Sequence, residues 1–341
     1  MRMKNDLPFR NVAKQSPCSV SVIVPVYNEE AVLPALHRRL VTVLEAISGG
    51  YEVIYVDDGS CDASPKIIQQ FRINNPSIGR VRLSRNFGKE QAMSAGLRLA
   101  QGDCVILIDA DLQDPPELIP SMIKAWQQGA DVVNMRRRSR EGETWLKKAT
   151  AHAFYRVINR LSEISIPENV GDFRLLSRRA VDALNELYEQ NRYMKGLFAW
   201  IGFRQVTLDY DRHARAAGKS KWRYWRLWNF ALEGITGFST VPLKVATYIG
   251  FASAAGAFVY ASYFLIKALT IGEAVSGFPT LIVTMLFFAG LQLMALGVIG
   301  EYLGRLFIEN KRRPLYLIED CQLSVTTAWE NANEHKKAAV R

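Results

Sequence analysis

Cysteine is scarce in this 341-residue chain: Cys18, Cys61, Cys104 and Cys321 lie far apart, with no CxxC pair and no histidine at ligand spacing. That argues against a disulfide or zinc framework and leaves small buried or surface thiols. Histidine is as rare. His37, His152, His213 and His335 are scattered, none has a visible partner, and none is assigned a role. Met1 to Gln15 is polar and charged with no apolar core, so no secretory signal is visible and the globular part is expected on the cytoplasmic side. There is no internal repeat. The most telling absence is charge, which is missing entirely from Val245–Ile266 and again from Val275–Gly300.

Each charge-free run exceeds the roughly 20 residues needed to cross a bilayer core, so two transmembrane helices are predicted. The mean hydropathy of −0.03 conceals them, because the chain before about Lys219 has ordinary globular composition. The segment between the runs carries one Lys and one Glu. The outer flanks carry Lys219, Lys221, Arg223, Arg226 and Lys244 on one side and Arg305, Lys311, Arg312 and Arg313 on the other. The positive-inside rule then places both ends in the cytoplasm. A net charge of +10 and a pI near 9.4 imply an anionic partner. The basic residues gather beside the apolar runs, which favours lipid headgroups; nucleic acid would suit a basic groove lined with stacking aromatics. Within Lys221–Phe238, Trp225, Trp228, Leu232 and Ile235 share one helical face and Arg223, Arg226, Asn229 and Glu233 the other. This pattern suits an interfacial helix, the alternative being a core helix of the soluble domain. Residues after Asp320 are polar and expected to be loosely ordered. The division expected is an N-terminal tail (1–18), a cytoplasmic domain (19–220), an interfacial helix (221–240), a two-helix anchor (241–305) and a cytoplasmic C-terminal tail (306–341).

In the globular part, the apolar runs Ser19–Tyr27, Tyr51–Asp58, Gly79–Arg85 and Cys104–Asp111 alternate with helical segments such as Glu29–Ile47 and Lys89–Ala100. The pattern predicts an α/β fold with a mostly parallel sheet and helices on both faces. Right-handed crossovers bring the strand C-termini to one edge, where open α/β sheets bind ligands. Tyr27-Asn28-Glu29, Asp57-Asp58-Gly59 and Asp109-Ala110-Asp111 all fall there. From Glu143 to Asp211 the chain reads as helix, a strand near Gly171–Ser177, further helices and a strand near Arg204–Tyr210, completing the cleft. Asp109 and Asp111 can hold a hard divalent cation that also takes phosphate oxygens, with Gln113 as a further carbonyl ligand. A strand-end Asp pair is weak by itself, since Asp is common in turns. Asp57-Asp58 and Tyr27 at neighbouring strand ends strengthen it.

Taken together, Val24–Glu30 (VPVYNEE), Val56–Ser60 (VDDGS), Arg85–Ala92 (RNFGKEQA), Asp109–Glu117 (DADLQDPPE), Gly171–Arg178 (GDFRLLSR) and Arg215–Lys221 (RAAGKSK) resemble the family-2, GT-A-fold glycosyltransferases. With the paired apolar runs, the resemblance spans Ser19 to Asp320. It points to the polyprenyl-phosphate subgroup, which holds bactoprenol glucosyltransferases and dolichol-phosphate mannose synthases. GDFRLLSR and the two-helix C-terminus look closest to the former. VPVYNEE and DADLQDPP are specific together; either alone marks only the broad superfamily.

The resemblance implies roles. Pro25, Tyr27, Glu29 and Asp58 would hold the nucleotide base and ribose, with Asp57 nearby, since a carboxylate can accept from an imide N–H and a ring can pack on a base. Asp109 and Asp111, assisted by Gln113, would bind Mg²⁺ or Mn²⁺ on the diphosphate. Lys89 and Arg137 are candidates for phosphate contact, with a surface or helix-stem role as the equal alternative. Asp172 matches the acceptor-side catalytic carboxylate. A lipid monophosphate is largely ionised at neutral pH, so the role of base stands beside orienting the site, balancing Arg174, or a plain turn Asp after Gly171. Arg174, Arg215, Ser220 and Lys221 would bind the lipid phosphate, or the last three would simply attract anionic lipid. The implied reaction is inverting transfer of a sugar, UDP-glucose being the favoured donor, to undecaprenyl phosphate at the cytoplasmic membrane face. Rival readings keep the acceptor with an aminoarabinose derivative or mannose, or make the chain a non-catalytic nucleotide-sugar-binding scaffold. The intact Asp109/Asp111 pair speaks against the last. Association through the membrane helices, up to a tetramer, also comes with the resemblance.

Overall fold

The computed structural model describes residues 18–137, 170–190, 192–211, 241–271 and 277–324. The expected interfacial helix 221–240, the N-terminal tail, and Arg215, Ser220 and Lys221 lie outside these residues. The chain divides into two units: one holds the sheet and includes residues 314–341, the other holds the two long C-terminal helices.

The first unit is built on β1 (Val20–Val26), β2 (Tyr51–Asp57), β3 (Ile78–Leu83), β4 (Cys104–Leu107), β5 (Val132–Arg137), β6 (Val170–Ser177), β7 (Gln205–Tyr210) and β8 (Ile318–Gln322). Among the described residues these form one sheet in the order β7-β5-β6-β4-β1-β2-β3-β8. The pairs β1–β2, β2–β3, β1–β4 and β5–β7 are parallel, whereas β4–β6, β5–β6 and β3–β8 are antiparallel. β6 and β8 therefore run against the rest. The start of β6 consequently lies at the same edge as the ends of β1, β2 and β4. That reversal was not part of the sequence expectation, and it brings Gly171 and Asp172 to the edge.

Helices α1 (Leu33–Glu45), α2 (Ser64–Asn74), α3 (Lys89–Leu99), α4 (Ile119–Gln127), α5 (Arg178–Asn185) and α6 (Met194–Trp200) accompany the sheet. In α1 the buried residues are Leu33, Leu36, Leu40 and Leu44, one apolar stripe at helical spacing. The Ser177 side chain caps α5 by accepting from the Ala180 amide. Helix α3 carries Gly96 against β1, where a Cβ would overlap Ile23; the glycine lets the helix lie close on the sheet.

Two expectations are corrected. Strand β4 stops at Leu107, so Asp109 and Asp111 stand on the loop beyond it. The parallel ladder with β1 ends at Ile23 opposite Leu107, and the chain then turns through Leu112 at φ +60°. Of the residues after Asp320, expected to be loosely ordered, Cys321 and Gln322 belong to β8. Its polarity is that of an edge strand held by charge. Arg80 pairs with Asp320 at 3.3 Å and Arg82 with Glu319 at 3.0 Å, while Arg72 donates to the Gln322 and Leu323 carbonyls. Ser324 donates to the buried Glu52 carboxylate at 3.0 Å. An apolar search pattern has nothing to find there.

The second unit contains α7 (Val241–Ile271) and α8 (Phe278–Asn310). Both are long and apolar enough to cross a membrane, the qualifying stretches being Leu243–Tyr260 and Phe287–Asn310. Helix α8 runs on past the expected anchor boundary at 305. Phe251 and Phe258 are among the large apolar side chains left exposed, a surface that calls for an apolar surround.

The close approach of α3 to β1 yields a test. Gly96→Ala is expected to cost about 1–3 kcal/mol by overpacking. Ile23→Ala in the same chain should return part of that cost, so the double-mutant cycle is non-additive. Denaturant unfolding of the full chain in detergent measures it; strict additivity would show that the Gly96–Ile23 contact does not set the helix position.

Candidate active site

The loops after β1 and β2 are joined by side chains. The Asn28 amide donates to the Ser60 hydroxyl at 3.0 Å, and the Asn28 side chain accepts from the Cys61 amide at 2.9 Å. The Glu29 amide donates to Ser64 at 3.0 Å, and Glu30 accepts from the Ala63 amide at 2.8 Å. Asn28 adopts φ +56°, a conformation that Asn tolerates. Tyr27 is left 45% exposed at the mouth, and Pro25 lies opposite Val56 in the β1–β2 register. This joining brings VPVYNEE and VDDGS together.

Asp57 and Asp58 are both buried. Asp57 accepts from the Ser60 amide at 3.0 Å and faces Arg82 at 3.6 Å. Asp58 accepts from the Phe87 and Gly88 amides at 2.8 and 2.9 Å, fixing the loop that leads into α3. Burial pushes the Asp58 carboxyl up, and the two amides offset this only in part. Gly59 follows at φ +71°, where a Cβ would meet the Arg85 carbonyl carbon at 2.6 Å and the Asn86 nitrogen at 2.7 Å. Only glycine satisfies both the left-handed backbone and the contact.

The fixed loop delivers Lys89 to the centre of the edge. Its ammonium lies 2.6 Å from one oxygen of Asp109, 2.8 Å from the other, and 2.5 Å from Asp172. Burial works against the ammonium, but the Asp109 and Asp172 carboxylates outweigh it and raise its pKa. At Asp172 burial pushes the carboxyl up, Lys89 and Lys195 pull it down more strongly, and it ends well below the usual carboxylate range. Asp111 accepts from the Gln113 amide at 3.2 Å, and Gln113 is buried.

A second layer supports these groups. Asp114, fully buried, accepts from the Tyr210 hydroxyl at 2.5 Å. Arg137 donates to the same hydroxyl at 3.3 Å and packs over Gly171, where a Cβ would come within 2.9 Å of the guanidinium. Arg174 is only 3% exposed; it donates to the Gly171 carbonyl at 2.8 Å and lies 3.8 Å over the Phe198 ring. Burial brings its pKa down to about 10. The structure thus turns Arg174 inward, beneath Asp172, rather than outward to a ligand. Glu90 accepts from the Met194 amide at 3.0 Å; burial first, then Asp172, push its carboxyl up to about 7.

Sequence reasoning missed Glu90, Asp114, Lys195 and Tyr210. The first two sit inside segments already singled out, RNFGKEQA and DADLQDPPE. Tyr210 ends a predicted strand. Lys195 carries no sequence signal, since its helix is placed only by the fold.

The donor set fits a hard divalent cation. Two carboxylates with remaining positions left to phosphate oxygens and water are a usual arrangement for Mg²⁺ beside a nucleotide. Among the described residues no cluster of three or more acidic, histidine or cysteine side chains that could hold a metal is present. Both oxygens of Asp109 lie within reach of the Lys89 ammonium.

Residues 21–184 match Glycosyl transferase family 2. The chain is 52% identical over 301 residues to an uncharacterized glycosyltransferase of Synechocystis sp., covering 88% of this chain and 95% of that protein. It is 46% identical over 301 residues to the bactoprenol glucosyl transferase of Shigella phage SfV, covering 88% and 98%. Among solved structures it is similar to the mannosyltransferase of Pyrobaculum calidifontis in complex with GDP-Man and Mn²⁺. There the TM-score is 0.44 and the identity 16%, over 85% of this chain and 88% of that one.

The Lys89 bridge makes a pH-dependent prediction. Asp172 has its pKa lowered by folding, so it contributes stability above the unfolded value near 3.9 that is lost as pH falls below it. In Lys89→Met the Asp172 carboxyl loses the cation that lowers it most, while burial still pushes it up, so acid destabilises that variant less than wild type. The melting-temperature gap between wild type and Lys89→Met in detergent should be widest at pH 7 and shrink towards pH 4. A gap constant over that range would mean that Lys89 is not the charge balancing the pair.

Proposed function

The chain belongs to glycosyl transferase family 2, and from that membership we propose that it transfers a sugar from a nucleotide to a polyprenyl phosphate at the cytoplasmic face of a membrane. The observation that carries the reading is the Lys89 bridge between Asp109 and Asp172, which joins the expected donor carboxylate to the expected acceptor carboxylate at one sheet edge. The similarity to a phage bactoprenol glucosyl transferase across 98% of its length supports glucose and a bactoprenol-type acceptor; UDP as the carrier is the donor we propose.

In the proposed reaction an oxygen of the lipid phosphate attacks the anomeric carbon. The bond from that carbon to the nucleoside diphosphate breaks with inversion, through an oxocarbenium-like transition state. Tyr27 and Glu29 line the nucleotide side, with Asp57 and Asp58 shaping its floor. Asp109 and Asp111, with Gln113 beside them, would hold Mg²⁺ or Mn²⁺, which supplies positive charge against the departing diphosphate. Lys89 and Arg137 add cationic character at the same edge. Asp172, held ionised by its cations, is a poor proton acceptor at neutral pH. A phosphate monoester is already mostly ionised there. We therefore assign Asp172 to orienting Lys89 and the acceptor rather than to proton abstraction. Arg215, Ser220 and Lys221 remain proposed donors to the lipid phosphate.

Chain connectivity supports the membrane arrangement. β7 and β8 belong to one sheet, and α7 and α8 lie between them in sequence. A chain that leaves a domain and returns to it crosses any bilayer an even number of times. Two spans, with the catalytic domain and both termini inside, satisfy this and the basic flanks.

Purified full-length protein in detergent, given undecaprenyl phosphate and labelled UDP-glucose, GDP-mannose or a UDP-linked aminoarabinose derivative, is expected to transfer glucose. EDTA should abolish transfer, and Asp111→Asn should lower it about 100-fold or more with the melting temperature kept. Transfer from none of the donors, or full activity in chelator, would overturn the reading. For topology, a reporter fused after Arg341 and one inserted at Gly272 are expected on opposite sides of the membrane; the same side for both would exclude two spans.

A further inference from the structure

Lys195 lies outside every motif, yet the fold brings it to the acceptor side of the site. Helix α6 begins with Met194, whose amide is held by Glu90 at 3.0 Å, the residue next to Lys89. One turn after Lys195 on the same helix is Phe198, whose ring covers the Arg174 guanidinium at 3.8 Å. Residues three apart share a helix face, so Lys195 is on the side of α6 that meets the start of β6. The charges acting on its ammonium there are Asp172, Arg174, Lys89 and Glu90.

Lys195 is half-buried, and among the described residues its ammonium makes no hydrogen bond and no ion pair within 4 Å. Lys89 is different, with three carboxylate oxygens in reach. An ammonium drawn partly out of water without an acceptor is costly, and an anionic ligand removes that cost. Burial lowers its pKa, in keeping with a group short of partners. Among the described residues, the Oδ1 atom of Asp172, one of the charges acting on Lys195, is buried without a hydrogen-bond partner, while Oδ2 is taken by Lys89. An ammonium with unused donors matches a ligand carrying negative charge, and a phosphate monoester carries it.

We propose that Lys195 binds the phosphate of the lipid acceptor, donating from its ammonium to a phosphate oxygen beside Asp172. The inference rests on the reading of the chain as a polyprenyl-phosphate glycosyltransferase and adds a residue to that site. The donor diphosphate is the other possible source of the same chemistry. The acceptor is favoured because Lys195 comes from α6 and faces the β6 end of the site, whereas the proposed metal carboxylates follow β4.

The test measures binding of undecaprenyl phosphate, of undecaprenol and of UDP to the full chain in detergent, for wild type, Lys195→Gln and Lys195→Arg. Wild type should prefer the phosphate over the alcohol. Lys195→Gln should lose about ten- to a hundred-fold in affinity for the phosphate, the loss of one charge-assisted hydrogen bond, and bind UDP as wild type does. Lys195→Arg, which keeps the charge and donors, should retain most of the preference. If Lys195→Gln keeps the full preference, or loses UDP affinity equally, the Lys195 assignment is wrong while the acceptor reading stands. If wild type itself shows no preference for phosphate over alcohol, the acceptor reading fails first. Should Lys195→Gln not fold, an amine-reactive label on wild type decides: undecaprenyl phosphate should protect Lys195 from labelling and UDP should not. Protection by UDP alone, or by neither, overturns the proposal.

Discussion

The ammonium of Lys89 between Asp109 and Asp172 is the interaction on which the site depends. It joins three pieces that are distant in sequence: the first residue of α3, the loop after β4 and the start of β6. None of the three can be placed alone. Asp58 fixes the loop before α3 through two backbone amides, and Gly59 lets that loop approach closely. The antiparallel course of β6 then sets Asp172 opposite. Without the cation, two carboxylates would face each other in a half-buried position, and like charges there cannot both remain ionised cheaply.

The second constraint is the return of the chain. After α8 it comes back to the domain as β8, and its Glu319 pairs with Arg82 at 3.0 Å. Arg82 also faces the buried Asp57 at 3.6 Å, so the segment beyond the apolar helices touches the charge network at the end of β2. The Leu317 carbonyl accepts from the Ser84 amide at 2.9 Å, at the head of the loop that carries Lys89. The C-terminal segment is thus a structural part of the domain, not an appendage to the helices. The same pairing covers the β3 edge, which would otherwise offer unpaired backbone groups to another chain.

Much of this was legible in the sequence. The buried parallel strands read as β-branched runs because both their faces are covered, and the strand-end acids followed from the topology of crossovers. The two long helices announced themselves by missing charge. What was not legible has physical causes. β6 reads as an apolar strand in either direction, so its reversal, and with it the nearness of Asp172 to Lys89, needs the whole sheet. β8 is specified by ion pairs to Arg80 and Arg82 rather than by apolar alternation, and partners more than two hundred residues away leave no local trace. The family resemblance implied Arg174 as a donor to the lipid phosphate. Whether an arginine two residues along a strand points to ligand or to core depends on what covers it, here Phe198.

Asp172 in the bridge and Glu90, the neighbour of Lys89 in the chain, are shifted in opposite directions, and the difference bears on the chemistry. Asp172 is surrounded by Lys89, Lys195 and Arg174 and stays ionised far into acid. Glu90 is buried with Asp172 nearby and titrates at about 7. Opposed shifts of this kind often divide acid from base. Here the carboxyl with a base-like pKa has one oxygen committed to the Met194 amide, so its part is to hold α6, and with it Lys195, against α3. The carboxyl placed at the edge is too strongly stabilised as the anion to take a proton. On the proposed reading neither residue needs to, since the attacking phosphate oxygen carries its own charge. The work left to the protein is to gather cations around that charge and to keep Asp172 from drifting away from them, which is what the bridge does.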